Sequence, residues 1–260
     1  MTYVPLKRLR AGQTSRQDRW WVKPFLVFCG LTTFVVYSTW AAFQNADYTF
    51  QGYLSPFYSP EIIGSTAHAW FIAPEGWPAI SPALLILWAP AGFRMTCYYY
   101  RGAYYKSHWL SPPACGVGKP HKGYRGEKKL PLIIMNIHRY FLYLALGFLI
   151  VLSIDVYNGL WFATAGGGEE FGIGVGTLVL LVNVILLGGY TLGCHSLRHL
   201  VGGKKDVMSN SPLRQKVYNK VSCYNAKHQL WAWCSLFWVG FTDLYVRLCA
   251  TGTISDFRII

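Results

Sequence analysis

The sequence is poor in charged residues, and acidic side chains are the scarcest of them. Only 13% of the 260 residues are charged, with 11 Asp and Glu against 24 Lys and Arg, whereas about 25% is usual for soluble domains. Apolar residues make up 53% and aromatic residues 17%. The sequence also has no nucleotide-binding glycine fingerprint. These shortages argue against a soluble enzyme, and the basic excess alone does not indicate binding to nucleic acid.

The apolar residues fall into five long blocks instead of being spread along the chain. The blocks span about 21–43, 80–100, 130–154, 171–193 and 226–250. Each is near the roughly 20 residues with which an α-helix crosses the hydrocarbon core of a bilayer. We therefore predict an all-α membrane protein, a single transmembrane domain built as a bundle of five helices. The second block fits least well, because it contains Pro90, Gly92 and Arg94.

The distribution of lysine and arginine predicts how the bundle is oriented. These residues are concentrated in the amino-terminal tail and in the loops 101–129 and 194–225, whereas the loops 44–79 and 155–170 contain none. Because basic loops stay on the cytoplasmic side, we predict a cytoplasmic amino terminus and an outside carboxyl terminus in the plasma membrane. The outer loop 44–79 is then an interfacial segment with rings at headgroup depth. Its aromatic residues are Tyr48, Phe50, Tyr53, Phe57, Tyr58, Trp70 and Trp77.

On this topology, most cysteines and histidines lie near the cytoplasmic ends of the helices. Thiolate and imidazole together suit zinc or an iron–sulfur cluster, including the two-Cys, two-His Rieske set, whereas imidazoles on facing helices suit haem b. His195 and His199 are four residues apart, which places both on one helix face. Because the outer halves of the helices lack histidine, at most one redox centre is predicted. The converging residues are Cys97, Cys115, Cys194, Cys223, His108, His121, His138, His195, His199 and His228.

Charged side chains within the blocks are few, and charge at this depth is usually functional. Arg94 and Arg139 lie within a few residues of the cysteines and histidines, where a guanidinium can hold a quinone carbonyl or pair with a haem propionate. Asp243 and Arg247 are four residues apart in the fifth block. The simplest prediction is that they pair with each other. A proton route or an outer quinone site is the alternative.

Several long strings resemble one family. They are "SPALLILWAPAGFRMTCYYYRGAYY", "SPPAC", "NIHRYFLYLAL", "FGIGVGTLVLLVNVILLGGYTLGCHSLRHLVGG" and "HQLWAWCSLFWVGFTDLYVRL". Together they resemble the membrane-anchor, cytochrome b-like subunit of the actinobacterial type of succinate dehydrogenase, or complex II. The resemblance implies a succinate:menaquinone oxidoreductase whose flavoprotein and iron–sulfur subunits dock on the cytoplasmic face. The matching polar residues are Cys97, Cys115, His138, Arg139, Cys194, His195, His199 and His228.

The resemblance also bears on the cofactor. Two-haem relatives take haem ligands from four helices, and the first two predicted helices here contain no histidine. A single Rieske-type [2Fe–2S] cluster is therefore favoured, with haem b as the alternative. Cys97 and Cys115 are the predicted ligands of one iron, with Cys194 as a substitute. Imidazoles for the other iron are expected from His195, His199, His138 or His228.

We thus predict the quinone-reducing anchor of a respiratory complex, which does not itself oxidise succinate. Menaquinone is expected near Arg94, Tyr98 and Arg139, and Asp243 with Arg247 form the outer candidate site. The alternatives are a membrane transporter or metal-handling protein and a structural anchor without a cofactor. The sequence leaves open whether the complex forms a higher oligomer.

Overall fold

The computed structural model of the chain describes residues 9–78, 80–120, 128–130, 132–164, 166–203, 207 and 209–260. Helices dominate it, as the apolar blocks predict. The candidate ligand His121 lies outside the described residues. The helices are α1 Val22–Gln44, α2 Pro82–Ile86, α3 Trp88–Thr96, α4 Tyr98–Ser107, α5 His138–Asn158, α6 Val175–Leu192, α7 His195–Gly202, α8 Pro212–Ala226 and α9 His228–Ala250, with a 3-10 helix, Leu132–Ile137, before α5.

The strands are short and pair within the loops. Two pairs are antiparallel and one is parallel. Since each pair joins neighbouring parts of one loop, the strands order the loops and build no larger sheet. The pairs are β1 Thr49–Phe50 with β2 Tyr53–Leu54, β3 Ile63–Gly64 with β4 Phe71–Ile72, and β5 Trp161–Ala163 with β6 Glu169–Phe171.

Three helical stretches in the described part of the chain are long and apolar enough to cross a membrane. They are Val22–Gln44, Leu132–Asn158 and Val175–Leu192, and they coincide with the first, third and fourth predicted blocks. The fifth block forms α9, which has 23 residues but carries Asp243 and Arg247. The structure thus bears out a helical protein with candidate spans, while five spans and their orientation stay predictions.

The second predicted helix, 80–100, is interrupted twice. At the first interruption, between α2 and α3, Pro90 has no N–H to donate to the carbonyl of Ile86, and its ring crowds that turn. At the second, Cys97 adopts an extended conformation, with φ −61° and ψ 130°, between α3 and α4. The block is therefore three short helices, and the apolar composition alone gave no sign of the break at Cys97.

The chain divides into two compact units, although a single domain was predicted. The first unit combines Met1–Val36 with Arg94–His138, and the second combines Tyr37–Phe93 with Arg139–Ile260. In the first unit, the amino-terminal segment 10–18 is joined to the loop 111–118 by backbone hydrogen bonds. Gly12 N donates to Gly118 O over 2.9 Å, and Gly118 N donates to Gln13 O over 2.9 Å.

Helix packing in the second unit is closest between α6 and α9. A β-carbon on Gly189 would lie 2.5 Å from the ring of Trp231, so the glycine lets the indole approach the α6 backbone. Farther along the same interface, Trp238 Nε1 donates to Val179 O over 3.0 Å. Trp238 therefore fills space at the interface and satisfies its own polar atom, whereas Trp231 Nε1 has no hydrogen-bond partner among the described residues.

The aromatic rings of the loop 44–79 divide into two groups. Tyr48, Tyr53, Phe57 and Tyr58 are all at most 7% exposed, so they pack within the protein, and their depth in the bilayer stays a prediction. Trp70 and Trp77 are exposed, as an interfacial position requires. The sequence pattern missed the difference because tyrosine suits both a membrane interface and a core in which its hydroxyl finds a partner.

Candidate functional site

Cys97 lies at the break between α3 and α4 and is only 2% exposed. It is the N-cap residue of α4, and its extended backbone turns the chain into the new helix. The first N–H groups of a helix have no partners within the helix and give its amino terminus a positive potential. The fold therefore places a buried thiol at the amino terminus of a helix.

Cys194 repeats this arrangement in the second unit. It is 1% exposed and is the N-cap residue of α7, with φ −67° and ψ 139°. Its Sγ accepts a hydrogen bond of 3.3 Å from Ser196 N. Two buried cysteines thus share the N-cap position and a similar extended backbone, and Cys194 also accepts a cap hydrogen bond. Iron–sulfur clusters are tuned by N–H donors of this kind to sulfur.

The other two cysteines of the predicted cluster differ from this pair. Cys115 and Cys223 are both exposed. The backbone around Cys115 is held by the amino-terminal segment, because Arg16 Nη1 donates to Cys115 O over 2.9 Å. Cys223 lies within α8, away from any helix start. Burial and helix capping therefore favour Cys97 and Cys194 over Cys115 and Cys223 as ligands.

His195 and His199 lie one turn apart on α7, so the predicted helical spacing is confirmed. Desolvation lowers the pKa of His195, and the charges of Arg198 and His199 lower it further. A lowered pKa keeps this imidazole neutral near pH 7, and the neutral ring is the form that binds metals.

His138 and His228 each begin a long helix. Thr96 Oγ1 is 2.8 Å from His138 Nδ1, which leaves Nε2 as the ring nitrogen directed away from that contact. His228 is 6% exposed and is stacked on Tyr190, with ring centroids 5.0 Å apart. Both rings are therefore held in fixed orientations. The sequence did not predict the partners Thr96 and Tyr190, although Thr96 directly precedes Cys97.

Of the residues predicted to bind menaquinone, Arg94 and Tyr98 belong to the first unit and Arg139 to the second. Arg94 Nη1 donates to the hydroxyl of Tyr100 over 2.6 Å. Tyr98 is 68% exposed, and the guanidinium of Arg101 lies over its ring at 4.7 Å. Tyr100 thus helps to orient Arg94, and a common quinone site stays a prediction.

Asp243 and Arg247 pair with each other, which confirms the simplest prediction for them. Arg247 Nε lies 2.9 Å from Asp243 Oδ2. The hydroxyls of Tyr37 and Ser55 also donate to this carboxylate. The remaining nitrogens of Arg247 donate to the carbonyls of Ala41 and Ala46. The pair is thus saturated by the second unit itself, and a role in binding a cofactor stays a prediction.

The predicted ligands are distributed over both units. Cys97, Cys115 and His138 belong to the first, and the other four belong to the second. Among the described residues, no group of three or more His, Cys, Asp or Glu side chains is close enough to hold a metal ion. The structure thus fixes the local geometry of each candidate, and a common site stays a prediction. The four in the second unit are Cys194, His195, His199 and His228.

Comparisons with known proteins point to one family. The family described as actinobacterial succinate dehydrogenase subunit SdhC matches residues 22–252. Among solved structures, a chain of the Mycobacterium smegmatis Sdh1 complex in the apo form is 41% identical to this one. The match covers 99% of this chain and 98% of that chain, with a TM-score of 0.87. No curated protein matches the sequence.

Proposed function

The chain belongs to the actinobacterial succinate dehydrogenase SdhC family, and from this membership we propose that it conducts electrons from a docked iron–sulfur subunit to menaquinone. The chain is then the membrane subunit of an oxidoreductase, and its partners oxidise succinate. Its candidate spans place it in a membrane, which we take to be the plasma membrane with the basic loops on the cytoplasmic side.

The observation that carries the proposal is the matched geometry of Cys97 and Cys194. Each is a buried N-cap cysteine at a helix break. One such cysteine is readily explained by packing, but helix capping in a membrane protein does not require a buried thiol at two separate breaks. We therefore rank these two cysteines first, ahead of Cys115, among the candidate thiolate ligands of a Rieske-type [2Fe–2S] cluster.

The imidazole ligands follow from the same local criteria. His195 directly follows Cys194 and has a lowered pKa, so it is available as a neutral ligand. The second imidazole comes from His138, His199 or His228; of these, His138 has one ring nitrogen fixed by Thr96, the kind of contact that orients metal-binding histidines. The cluster, when bound, supplies one-electron transfer at a potential raised by its histidines.

The chain's own residues account for partner and substrate binding in this proposal. The loops 101–129 and 194–225 carry the basic residues that complement a docked subunit. Arg94, oriented by Tyr100, is the donor placed for a quinone carbonyl, with Arg139 as the second cation. Haem b held by two histidines is the competing cofactor.

Spectroscopy of the assembled complex tests the proposal. Cys97→Ser and Cys194→Ser, made singly, are each expected to remove the electron paramagnetic resonance signal of a reduced Rieske cluster and to stop quinone reduction. Succinate oxidation with a soluble dye acceptor should continue, because the partner subunits keep their own centres. Cys234→Ser is the matched control, since Cys234 is exposed on α9 and lies outside the cluster.

Each alternative has its own outcome. A full cluster signal in either variant would remove that cysteine from the ligand set. An absorption α-band without the cluster signal would identify haem b, and a membrane subunit with neither signal would be a structural anchor.

A further inference from the structure

A cavity of about 280 Å³ lies in the second unit, between the carboxyl end of α5 and the loop 44–79. Its size is just below that of typical small-ligand sites, about 300–1,000 Å³. The polar residues that line it are Glu61, His68, Asp155 and Asn158, and the residues Trp70 and Ile154 stand at its rim. We call it the acidic cavity.

Asp155 provides a partly unused carboxylate in the acidic cavity. The residue is 6% exposed. Its Oδ2 accepts a hydrogen bond from Ser59, while Oδ1 accepts none within the described part of the chain. Oδ1 is not among the fully buried unpaired atoms, so it is open to the cavity that Asp155 lines. The lining therefore contains an acceptor that a ligand can satisfy.

Glu61 adds a second carboxylate that no cation of the described chain neutralises. It is completely buried, and its two oxygens accept hydrogen bonds from the hydroxyls of Tyr48 and Thr66. Gly64 leaves room for this side chain, since a β-carbon there would lie 1.7 Å from Oε1. Neither Glu61 nor Asp155 forms an ion pair with any described residue. The cavity wall thus contains two carboxyl groups that can interact with a cation that enters.

Two further polar side chains, His68 and Asn158, line the same space. His68 Nε2 is 3.3 Å from the carbonyl of Gln51, and because a carbonyl only accepts, this contact is a hydrogen bond when Nε2 carries the proton. A primary ammonium group has three N–H donors, so it can donate to Asp155 Oδ1 and still have donors for the remaining polar lining.

The rim suits a ligand that arrives from the lipid. Trp70 is 59% exposed and Ile154 is 53% exposed. Ile154 lies on a helix with the length and composition of a membrane span. An amphiphile can therefore place its head among the acceptors while its chains remain along α5.

We propose that the acidic cavity binds a primary ammonium group, either on an aminophospholipid headgroup or on a free amine. A metal ion is a poorer occupant, because no described His, Cys, Asp and Glu side chains form a group of three close enough to ligate one. A quaternary ammonium has no N–H donors for the acceptors. The inference is independent of the redox assignment.

Native mass spectrometry of the assembled complex in nanodiscs tests this proposal. The probes are phosphatidylethanolamine and phosphatidylcholine with the same acyl chains. Wild-type complex is expected to retain one phosphatidylethanolamine with higher affinity than any phosphatidylcholine. Asp155→Asn, which keeps the volume and a partner for Ser59, should weaken that retention at least about tenfold, as expected for the loss of a hydrogen bond to a charged group.

Three comparisons complete the experiment. Glu75→Gln removes the same charge from an exposed position in the same loop and should leave retention unchanged. Ala67→Phe fills the exposed rim without altering charge, and it decides the question if Asp155→Asn does not assemble. Millimolar ethanolamine that displaces the lipid would show that the ammonium group alone is recognised, whereas no displacement would assign the site to the lipid. Equal retention of both lipids, or unchanged retention in both cavity variants, would overturn the proposal.

Discussion

At the residue scale, Asp243 and Arg247 form a buried ion pair within the second unit. Removing one charge of a buried pair leaves the other uncompensated, which costs about 3–5 kcal/mol. Asp243→Asn is therefore expected to lower the free energy of unfolding by about 3 kcal/mol, because Arg247 keeps its charge at 6% exposure. Thermal unfolding of the purified complex measures the change.

The exposed ion pair of the same unit provides the control. Arg258 and Glu170 lie 2.9 Å apart with side chains 36% and 60% exposed. Glu170→Gln should change stability by less than about 1 kcal/mol, since exposed pairs contribute little. If Asp243→Asn and Glu170→Gln lowered the free energy of unfolding by similar amounts, the buried pair would contribute no more to stability than the exposed pair.

At this scale, the sequence predicted the pairing of Asp243 with Arg247 because helical spacing alone brings them together. It did not predict the hydroxyl donors Tyr37 and Ser55, which are about 200 residues distant along the chain. It also ranked Cys115 above Cys194, because capping geometry depends on where a helix breaks. No proline or glycine marks the break at Cys97 itself.

At the scale of the elements, α6 and α9 pack closely because Gly189 of α6 has no side chain. Gly189→Ala places a methyl group 2.5 Å from the ring of Trp231, so we expect it to destabilise the protein by about 1–3 kcal/mol, the usual cost of overpacking. The adjacent Gly188 has nothing within 4 Å of an added β-carbon. Gly188→Ala should therefore be neutral or stabilising by up to about 1 kcal/mol, through helix propensity alone. Melting temperatures of the two variants give the comparison, and equal values would refute the close contact.

The elements also show which helices can be predicted from composition. The first, third and fourth apolar blocks were predicted because uninterrupted apolar length is sufficient for a span. The second block failed as one helix because Pro90 removes a donor and Cys97 takes an extended conformation. The burial of the tyrosines in the loop 44–79 was not predicted because their partners are distant along the chain, such as Glu61 for Tyr48.

For the whole molecule, several other predictions depend on the orientation of the chain in the membrane. In intact cells, an impermeant maleimide should label Glu75→Cys in a Cys223→Ser background, because the loop 44–79 contains no Lys or Arg and is predicted to face outward. Native Cys223 should be labelled only after the membrane is permeabilised. The reverse pattern would invert the topology and move the candidate ligands to the outer side.

The family was identified from the sequence because its strings extend over most of the chain, and that identification is confirmed over residues 22–252. The division into two compact units was not foreseen. Hydropathy reports which segments enter a membrane, but it contains no information on which segments contact each other. The same limit applies to the candidate site. The sequence predicted which residue types could form it, but not which of those residues lie close together.

The hydrogen bond between Thr14 and the carbonyl of Gly116 joins positions 102 residues apart. At a synthesis rate of about 5–20 residues per second, Thr14 leaves the ribosome roughly 5–20 s before its partner exists. During that interval, two hydrophobic blocks of the nascent chain can begin membrane insertion while the amino-terminal segment is still unbound. The amino-terminal segment 10–18 can therefore dock only after the loop 111–118 has been synthesised.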